Sequence, residues 1–492
     1  MQTSVVIIGA GPAGLTAAYL LAKEKVSVTV LEADPVYVGG IARTATYKGY
    51  CFDIGGHRFF SKAKEVEDFW TEILGDDLLT RPRLSRIFYK KQYFSYPLKF
   101  FEVLSRLGIM ESFFCFISYV KAAIFPVKNP RSFADWVSNH FGKRLFSIFF
   151  KTYTEKVWGM PCEKISADWA AQRIKGLSLV TAAVNALFPK KNDKSPVIKT
   201  LIDSFRYPRK GPGMMWETCS NKIKNFGGKV ELGKRVIRCE FDGDKKIWTI
   251  IFEDQQGEQH AISSLHLIST APIRELVMDY LRPALPDVIQ QAAFALKYRD
   301  FLIVILILKD KKQFSDNWIY IHDPDVDVAR IQNFKSWSPE MVPDPSMCCY
   351  GMEYFCFEGD GMWEKSDAEL IQKAKAEIVK VGLANAEDVE DGCVVRQVKA
   401  YPVYDENYKE HVEIIRRELD VRFPTLHLTG RNGMHKYNNQ DHAMMTAMLT
   451  VKNILAGENY FNIWNVNQDA EYHESGKPGE HSLGRDVPIR IE

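Results

Sequence analysis

The chain has 492 residues, of which 46% are hydrophobic, 26% charged and 12% aromatic, with 64 Lys and Arg against 62 Asp and Glu. Such a composition supports a globular protein of two or three domains and excludes disordered, collagen-like and small disulfide-stapled chains. A formal charge of +2 gives no reason to expect a nucleic-acid partner, and nine cysteines without a CxxC pair or zinc spacing read as reduced thiols in a cytoplasmic protein with no metal site.

Val5, Val6, Ile7 and Ile8 form the β-branched run expected of a buried parallel strand. Gly9-Ala10-Gly11-Pro12-Ala13-Gly14 follows, then helical spacing from Leu15 to Lys23, then an apolar run from Val26 to Leu31 that ends in Glu32. The stretch from Val5 to Ala22 is as apolar as a secretion signal, but no basic residue precedes it and glycines interrupt it at fixed offsets. Strand, glycine turn, helix, strand and acid make one βαβ unit. In it Gly9 permits the tight turn, Gly11 lets the backbone approach a pyrophosphate, and Gly14 lets the helix pack on the strand. The helix N-terminus offers N–H groups to the phosphates, and Glu32 accepts from a ribose hydroxyl. Glycines alone would mark only a tight turn; the strand before them and the acid after them point to a bound dinucleotide.

Gly39-Gly40-Ile41-Ala42-Arg43 resembles the GGxxR segment of the flavoprotein superfamily that includes amine oxidases and protoporphyrinogen oxidase. The resemblance implies FAD, with Gly40 and Arg43 along it. Gly55-Gly56-His57 is similar to the stretch beside the isoalloxazine ring, where a flat ring meets backbone without side chains. Two plain glycine turns are the competing reading. The fold so implied is α/β: a Rossmann-like FAD-binding domain from residues 1–65, 205–275 and 420–460, interleaved with a helical region at 66–204 and a β-sheet substrate domain at 276–419. A polar tail fills 465–492.

Residues 66 to 150 read as helix-rich and aromatic, with scattered cations at Arg81, Arg83, Arg86, Lys90, Lys91, Lys99, Arg106 and Lys121 among Phe100, Phe101, Phe113, Phe114, Phe116 and Tyr119. Either the aromatic face is buried and the cations are solvated, or the surface rests on anionic lipid as a peripheral contact at the inner membrane face. Ser112 to Val120 is strongly apolar, but Glu111 and Lys121 bound it, so it is too short to span a bilayer. Pro189 to Ser195 reads as a loop. Strands are expected at Val230 to Leu232, Val236 to Phe241, Trp248 to Phe252, Phe301 to Leu308 and Trp318 to Ile321. Leu265 to Pro272 and Leu426 to Gly430 are similar to strands that return to the FAD domain. Asp367 to Leu383 has helical spacing.

Several later segments narrow the resemblance to UDP-galactopyranose mutases, particularly the eukaryotic type. Gly430-Arg431, Tyr437 and Asn439-Gln440-Asp441-His442 resemble the C-terminal FAD motif of that family. Tyr153 to Arg173, with Lys156-Val157-Trp158-Gly159-Met160-Pro161 inside it, resembles a segment carrying a substrate-site Trp and Arg. Trp318-Ile319-Tyr320, Arg330 and Ser336-Trp337-Ser338-Pro339 are similar to the segment that supplies a diphosphate-binding arginine, and Tyr401-Pro402 to an active-site tyrosine step. The implied chemistry uses reduced flavin as a nucleophile at the anomeric carbon of a nucleotide-sugar, with NAD(P)H a candidate electron donor. Arg330, Arg431 and Arg173 would face the departing phosphate, Tyr320, Tyr401 and Tyr437 would hydrogen-bond it, and Trp158 and His57 would flank the reacting centre. Gly9, Gly11, Gly14, Glu32, Gly40, Arg43, Gly55, Gly56, Val236, Gly430, Asn439 and Gln440 are the implied cofactor contacts.

Tyr96-Pro97 matches a family segment at the nucleotide end, but Leu98 and Lys99 replace its aromatic and amide residues, and Thr154 stands where asparagine is expected. An aliphatic chain cannot stack as a ring does, and lysine cannot accept a hydrogen bond. The phosphate end is therefore read as kept and the base end as rebuilt. The alternative activity is a flavin oxidoreductase acting on a lipid, polyprenyl phosphate or tetrapyrrole, in which the same arginines bind a lipid phosphate.

Overall fold

In the computed structural model the described residues are 4–96, 98, 100–167, 169, 204–311 and 314–467. Arg173, Lys99, the loop from Pro189 to Ser195 and most of the polar tail lie outside them.

The first strand, Ser4–Ile8, is the centre of a five-stranded parallel sheet whose order is Leu426–Leu428, His266–Ser269, Ser4–Ile8, Ser27–Leu31, Lys229–Glu231. A parallel pair needs a crossover, and the helix Pro12–Lys23 supplies the first one. That helix buries Leu15, Ala17, Ala18 and Leu21 in one cluster with Ala443, Met444, Ala447 and Met448 of the final helix, Gln440–Ala456, and with Met215 and Trp216 of Pro212–Asn225. Small alanines on the facing sides let the helices approach closely. The chain therefore closes its first domain with its last strand and last helix.

A second sheet of seven strands runs Val389–Pro402, Tyr298–Lys309, Met347–Cys356, Arg330–Asn333, Trp318–Ile321, Ser85–Tyr89, Gln92–Ser95. Within Tyr298–Lys309, residues 301–308 are apolar on both faces. Phe301, Ile303, Ile305 and Ile307 enter one core, and Leu302, Val304, Leu306 and Leu308 enter another, covered by Leu370, Ala374 and Ile378 of the helix Asp367–Lys380. The period-2 alternation of a strand makes this split automatic.

Two features of residues 66–150 depart from a helical region with a buried aromatic face. The hairpin Ser85–Tyr89 with Gln92–Ser95 extends the second sheet, and its turn residues Lys90 and Lys91 both have positive φ, 47° and 60°. Such turns usually announce themselves by Asn or Gly; two lysines give no signal. Secondly, the helix Ile109–Ile124 buries Cys115 while Phe113, Phe114 and Phe116 are exposed. No disulfide joins the nine cysteines, and among the described residues no helix is long and apolar enough to cross a membrane.

Candidate functional site

A cavity of about 320 Å³ runs from the C-terminal edge of the parallel sheet to the second sheet. At one end the turn after Ser4–Ile8 is built as its glycines require. Gly9 has φ 95°, and a Cβ there would lie 2.3 Å from Thr270 Oγ1. A Cβ on Gly14 would lie 1.9 Å from the Gly9 carbonyl oxygen, so helix and strand touch only because it is glycine. Gly11 differs from both. It lines the cavity, and a Cβ there would meet no protein atom within 4 Å. The space beside it belongs to whatever fills the cavity.

Glu32 lines the same end, with Val236 beside it. Its Oε2 accepts from the Ala10 N–H at 2.6 Å and its Oε1 from the Asp34 N–H at 2.9 Å. Burial raises its pKa, with these N–H donors opposing. Each oxygen keeps a lone pair for a ligand hydroxyl. Gly40 also lines the cavity, whereas Arg43 sits behind it, donating to the Gly40 carbonyl at 3.0 Å and to Gln397 Oε1 at 2.5 Å.

At the other end Gly430, Arg431, Asn432, Asn438 and Gln440 line the wall. Two buried acceptors there, Asn432 Oδ1 and Gln440 Oε1, have no partner among the described residues, although the amide nitrogens of the same residues donate to the carbonyls of Lys399 and Arg58. Buried unsatisfied acceptors call for a ligand. Asn439 is the N-cap of the final helix, its N–H reaching His442 Nδ1 at 3.3 Å, and it does not line the cavity. The open space at Gly11, the carboxylate of Glu32 and the two orphaned acceptors fit a dinucleotide with donor groups at its far end, as FAD has.

His57 stands where the two sheets meet. Its Nε2 lies 3.0 Å from the Ile54 carbonyl oxygen. Burial lowers its pKa to about 4, with Arg431 and Arg330 adding to the shift and the carbonyls of Ile54 and Ile41 opposing it. The ring is therefore neutral at pH 7. Gly55, with φ 93°, leaves its side-chain position open, with Arg330, His57 and Phe301 nearest at 3.8–3.9 Å. Gly56 is different: a Cβ there would stand 2.9 Å from Gln332 Nε2, so its smallness serves packing.

Strand register assembles the polar wall beside His57. Tyr320 is opposite Arg330, and Arg330 is opposite Glu353, across three neighbouring antiparallel strands. Side chains in such a row share one face of the sheet. Glu353 Oε2 accepts from Arg330 Nε at 2.7 Å and Nη2 at 2.6 Å, and Glu353 Oε1 accepts from Gln332 Nε2 at 2.7 Å. Arg330 is 17% exposed and Glu353 0%. Burial alone would lower the Arg330 pKa, but Glu353, with Tyr153 and Tyr401, more than offsets this. The guanidinium stays charged.

Four tyrosines and a second arginine complete the wall. Tyr153 packs edge-on to Tyr320 at 5.4 Å and stacks on His322 at 5.0 Å. Tyr401 stacks on Tyr437 at 5.5 Å, and the Arg431 guanidinium lies 5.2 Å from both ring centres. Burial and Tyr437 raise the Tyr401 pKa, against Arg330 and Arg431. Arg431 donates to the carbonyls of Asn438 and Ala400, and among the described residues no carboxylate pairs with it. Trp158 is buried 6.1 Å from Tyr437. Thr154 is buried, and Leu98 packs in a small cluster with Tyr96 and Tyr320.

The structure thus brings His57, Arg330, Arg431, Tyr320, Tyr401, Tyr437 and Trp158 to one region. Sequence reasoning missed Glu353, Tyr153 and Arg299. Glu353 is the lone charged residue in the mostly apolar run Met347–Cys356, which was a usable signal. Arg299 donates to the carbonyls of Val157 at 3.1 Å and Phe355 at 2.7 Å, fixing the end of the helix Thr152–Trp158, and a Cβ on Gly159 would strike it at 2.5 Å. Lys156 holds the same helix from outside through the carbonyls of Ile321, Asp323 and Val328.

Comparison with known proteins follows the same division. Residues 7–73 match the NAD(P)-binding Rossmann-like domain family. An uncharacterized protein in the nifH2 3' region of Methanothermococcus thermolithotrophicus is 45% identical over 53 residues, 11% of this chain and 50% of that protein, so the match spans half of that relative. A crystal structure of reduced UDP-galactopyranose mutase superposes with a TM-score of 0.79 at 22% identity, covering 92% of this chain and 96% of that one. A proposed protoporphyrinogen oxidase from Exiguobacterium sp. 255-15 gives 0.69 at 14% identity, covering 93% and 100%. A putrescine oxidase variant gives 0.63 at 16% identity, covering 93% and 100%. At these identities what is shared is the fold: an α/β flavoprotein fold with a Rossmann-like domain interleaved with a second, β-sheet domain.

Proposed function

We propose that the chain is an FAD-dependent flavoenzyme that isomerises a nucleotide-sugar from pyranose to furanose, with the flavin reduced and NAD(P)H as the electron donor. The observation that carries this reading is the pairing of two guanidiniums, Arg330 and Arg431, with four tyrosines on the wall beside His57. A diphosphate leaving group needs that chemistry; an amine or a tetrapyrrole core does not. Gly9, Gly11, Glu32, Gly40, Asn432 and Gln440 would hold the dinucleotide. Reduced flavin, when bound, supplies a nucleophile at carbon.

The chain's own residues do the rest. Arg330, oriented by Glu353, presents a fixed positive charge to the phosphate that departs. Arg431, without a carboxylate, supplies a second, and such preorganised donors contribute about 2–4 kcal/mol each to the transition state. Tyr320, Tyr401 and Tyr437 donate to phosphate oxygens, and neutral His57 accepts or donates a hydrogen bond without adding charge. A second reading, a flavin oxidoreductase that exchanges an electron pair with a polyprenyl phosphate, is favoured by the exposed apolar helix Ile109–Ile124. One experiment separates them. FAD-loaded protein reduced with dithionite would be given nucleotide-hexopyranoses and polyprenyl phosphates. Furanose product with flavin still reduced supports the mutase reading. Flavin reoxidation by a polyprenyl phosphate, with no furanose from any nucleotide-sugar, would overturn it.

A further inference from the structure

The helix Ile109–Ile124 is built the wrong way round for a surface that meets water. Toward the protein it presents Glu111, Ser112, Cys115 and Ser118, and Glu111 pairs there with Arg144 at 2.5 Å. Its backbone lies so close to the next helices that a Cβ on Gly142 would stand 2.7 Å from Tyr119 N. Toward solvent it presents Ile109, Met110, Phe113, Phe114, Phe116 and Ile117, of which Ile109 is 90% exposed and Phe116 63%. At 3.6 residues per turn these side chains sweep roughly half of the helix circumference. A contiguous apolar face of this kind marks an interaction surface.

Charge tells what it meets. Residues 81–151 hold 13 Lys and Arg against 3 Asp and Glu, a net of +10 within a chain whose total is +2. Lys90, Lys121 and Lys128 are among these cations, Lys121 and Lys128 both exposed. A second copy of the chain using this face would bring two such clusters together, which repulsion disfavours. A bilayer carrying negative lipid matches both properties at once, accepting phenylalanines among its acyl chains and lysines at its headgroups. The helix is too short to cross, so it lies in the interface plane.

We infer that this face docks the protein on an anionic lipid bilayer, with Phe113 and Phe116 inserted and Lys121 and Lys128 at headgroup level. The docked face adjoins the site. Cys115, on the inner side of the helix, belongs to the same small core as Tyr320 of the polar wall and Tyr96 beside it. The inference holds whichever reaction the flavin serves.

The test is sedimentation of the full-length, FAD-loaded protein with vesicles of phosphatidylcholine alone and of phosphatidylcholine mixed with phosphatidylglycerol. Binding to the mixed vesicles is expected to be at least about tenfold tighter than to the neutral ones and to weaken with salt. The F113S/F116S variant should lose at least about tenfold in affinity with an unchanged flavin spectrum and melting temperature, since both side chains stand clear of the core. K121E/K128E should lose affinity for mixed vesicles only. Failure of the wild-type chain to bind either vesicle overturns the inference, as does equal binding by F113S/F116S. A dimer in light scattering that F113S/F116S dissociates, without vesicle binding, would assign the face to a second copy instead.

Discussion

Substituting alanine at Gly11 and at Gly14 separates the ligand's claim on the glycine turn from the fold's. At Gly11 the backbone is extended, with φ −76° and ψ −178°, which alanine adopts freely, and its Cβ would meet no protein atom within 4 Å. Reduced freedom of the unfolded chain favours G11A by about 0.4–1 kcal/mol. Loss of glycine at the helix N-cap opposes this by a similar amount, about 1 kcal/mol. The flavin-free protein should therefore melt within about 4 °C of wild type. The same methyl group projects into the cavity against the expected pyrophosphate. Overpacking there costs on the order of 1–3 kcal/mol, or about 5- to 150-fold in flavin affinity. At Gly14 the Cβ would lie 1.9 Å from a backbone oxygen, so G14A must shift helix against strand and should lower the stability of the flavin-free protein itself. The assays are thermal denaturation without flavin and a fluorescence titration with FAD. If G11A bound FAD with wild-type affinity, no dinucleotide would lie against Gly11 and the assignment of the cavity would fail.

Other expectations follow from the polar wall. E353Q leaves Arg330 in its buried position without a counter-ion, and urea denaturation should show a loss of about 3–5 kcal/mol; a neutral effect would mean that the pair is dispensable. R330K and R431K should each lower kcat/KM for the true substrate roughly 30- to 1,000-fold while FAD still binds, measured by product formation under anaerobic conditions. His57 has its folded pKa lowered to about 4 from 6.5. Between those values the unfolded chain binds more protons, so the contribution of His57 is full above pH 6.5 and is lost as pH falls through 4. The melting temperature of H57Q should fall less steeply than wild type between pH 6.5 and 4, and parallel curves would refute a neutral His57. R299M removes the donor to the Val157 and Phe355 carbonyls, and should impair turnover while leaving FAD affinity within about threefold, because Arg299 does not line the cavity.

What could be read from the sequence depended on how local each feature was. The turn from Gly9 to Gly14 is specified by six consecutive residues whose backbone demands are fixed, and Glu32 follows within one βαβ unit. The strand at Phe301 to Leu308 was readable because all eight of its residues are apolar. The row Tyr320, Arg330, Glu353 was not readable as a row, because it exists only through the pairing register of three strands. Tyr320 and Arg330 were reached by resemblance, and Glu353, which had no motif, was passed over. The Lys90-Lys91 turn hid a hairpin because its positive φ values rest on residues that do not advertise them. The helix at 109–124 shows a further limit. Periodicity tells which side of a helix is apolar, and it is packing that decides whether that side faces in.

The five-stranded sheet imposes an order on how the protein comes into being. Its central strand leaves the ribosome before its neighbours, the strand at His266–Ser269 follows some 260 residues later, and Leu426–Leu428 and the helix Gln440–Ala456 come later still. Contacts so distant in sequence form slowly. Until the last helix is made, the nascent chain carries an open hydrophobic sheet edge and lacks Arg431, Asn432 and Gln440 from the cavity's wall. Capture of the proposed dinucleotide would therefore follow the making of the last helix. A chain truncated before residue 420 would retain the whole glycine turn and would hold no dinucleotide.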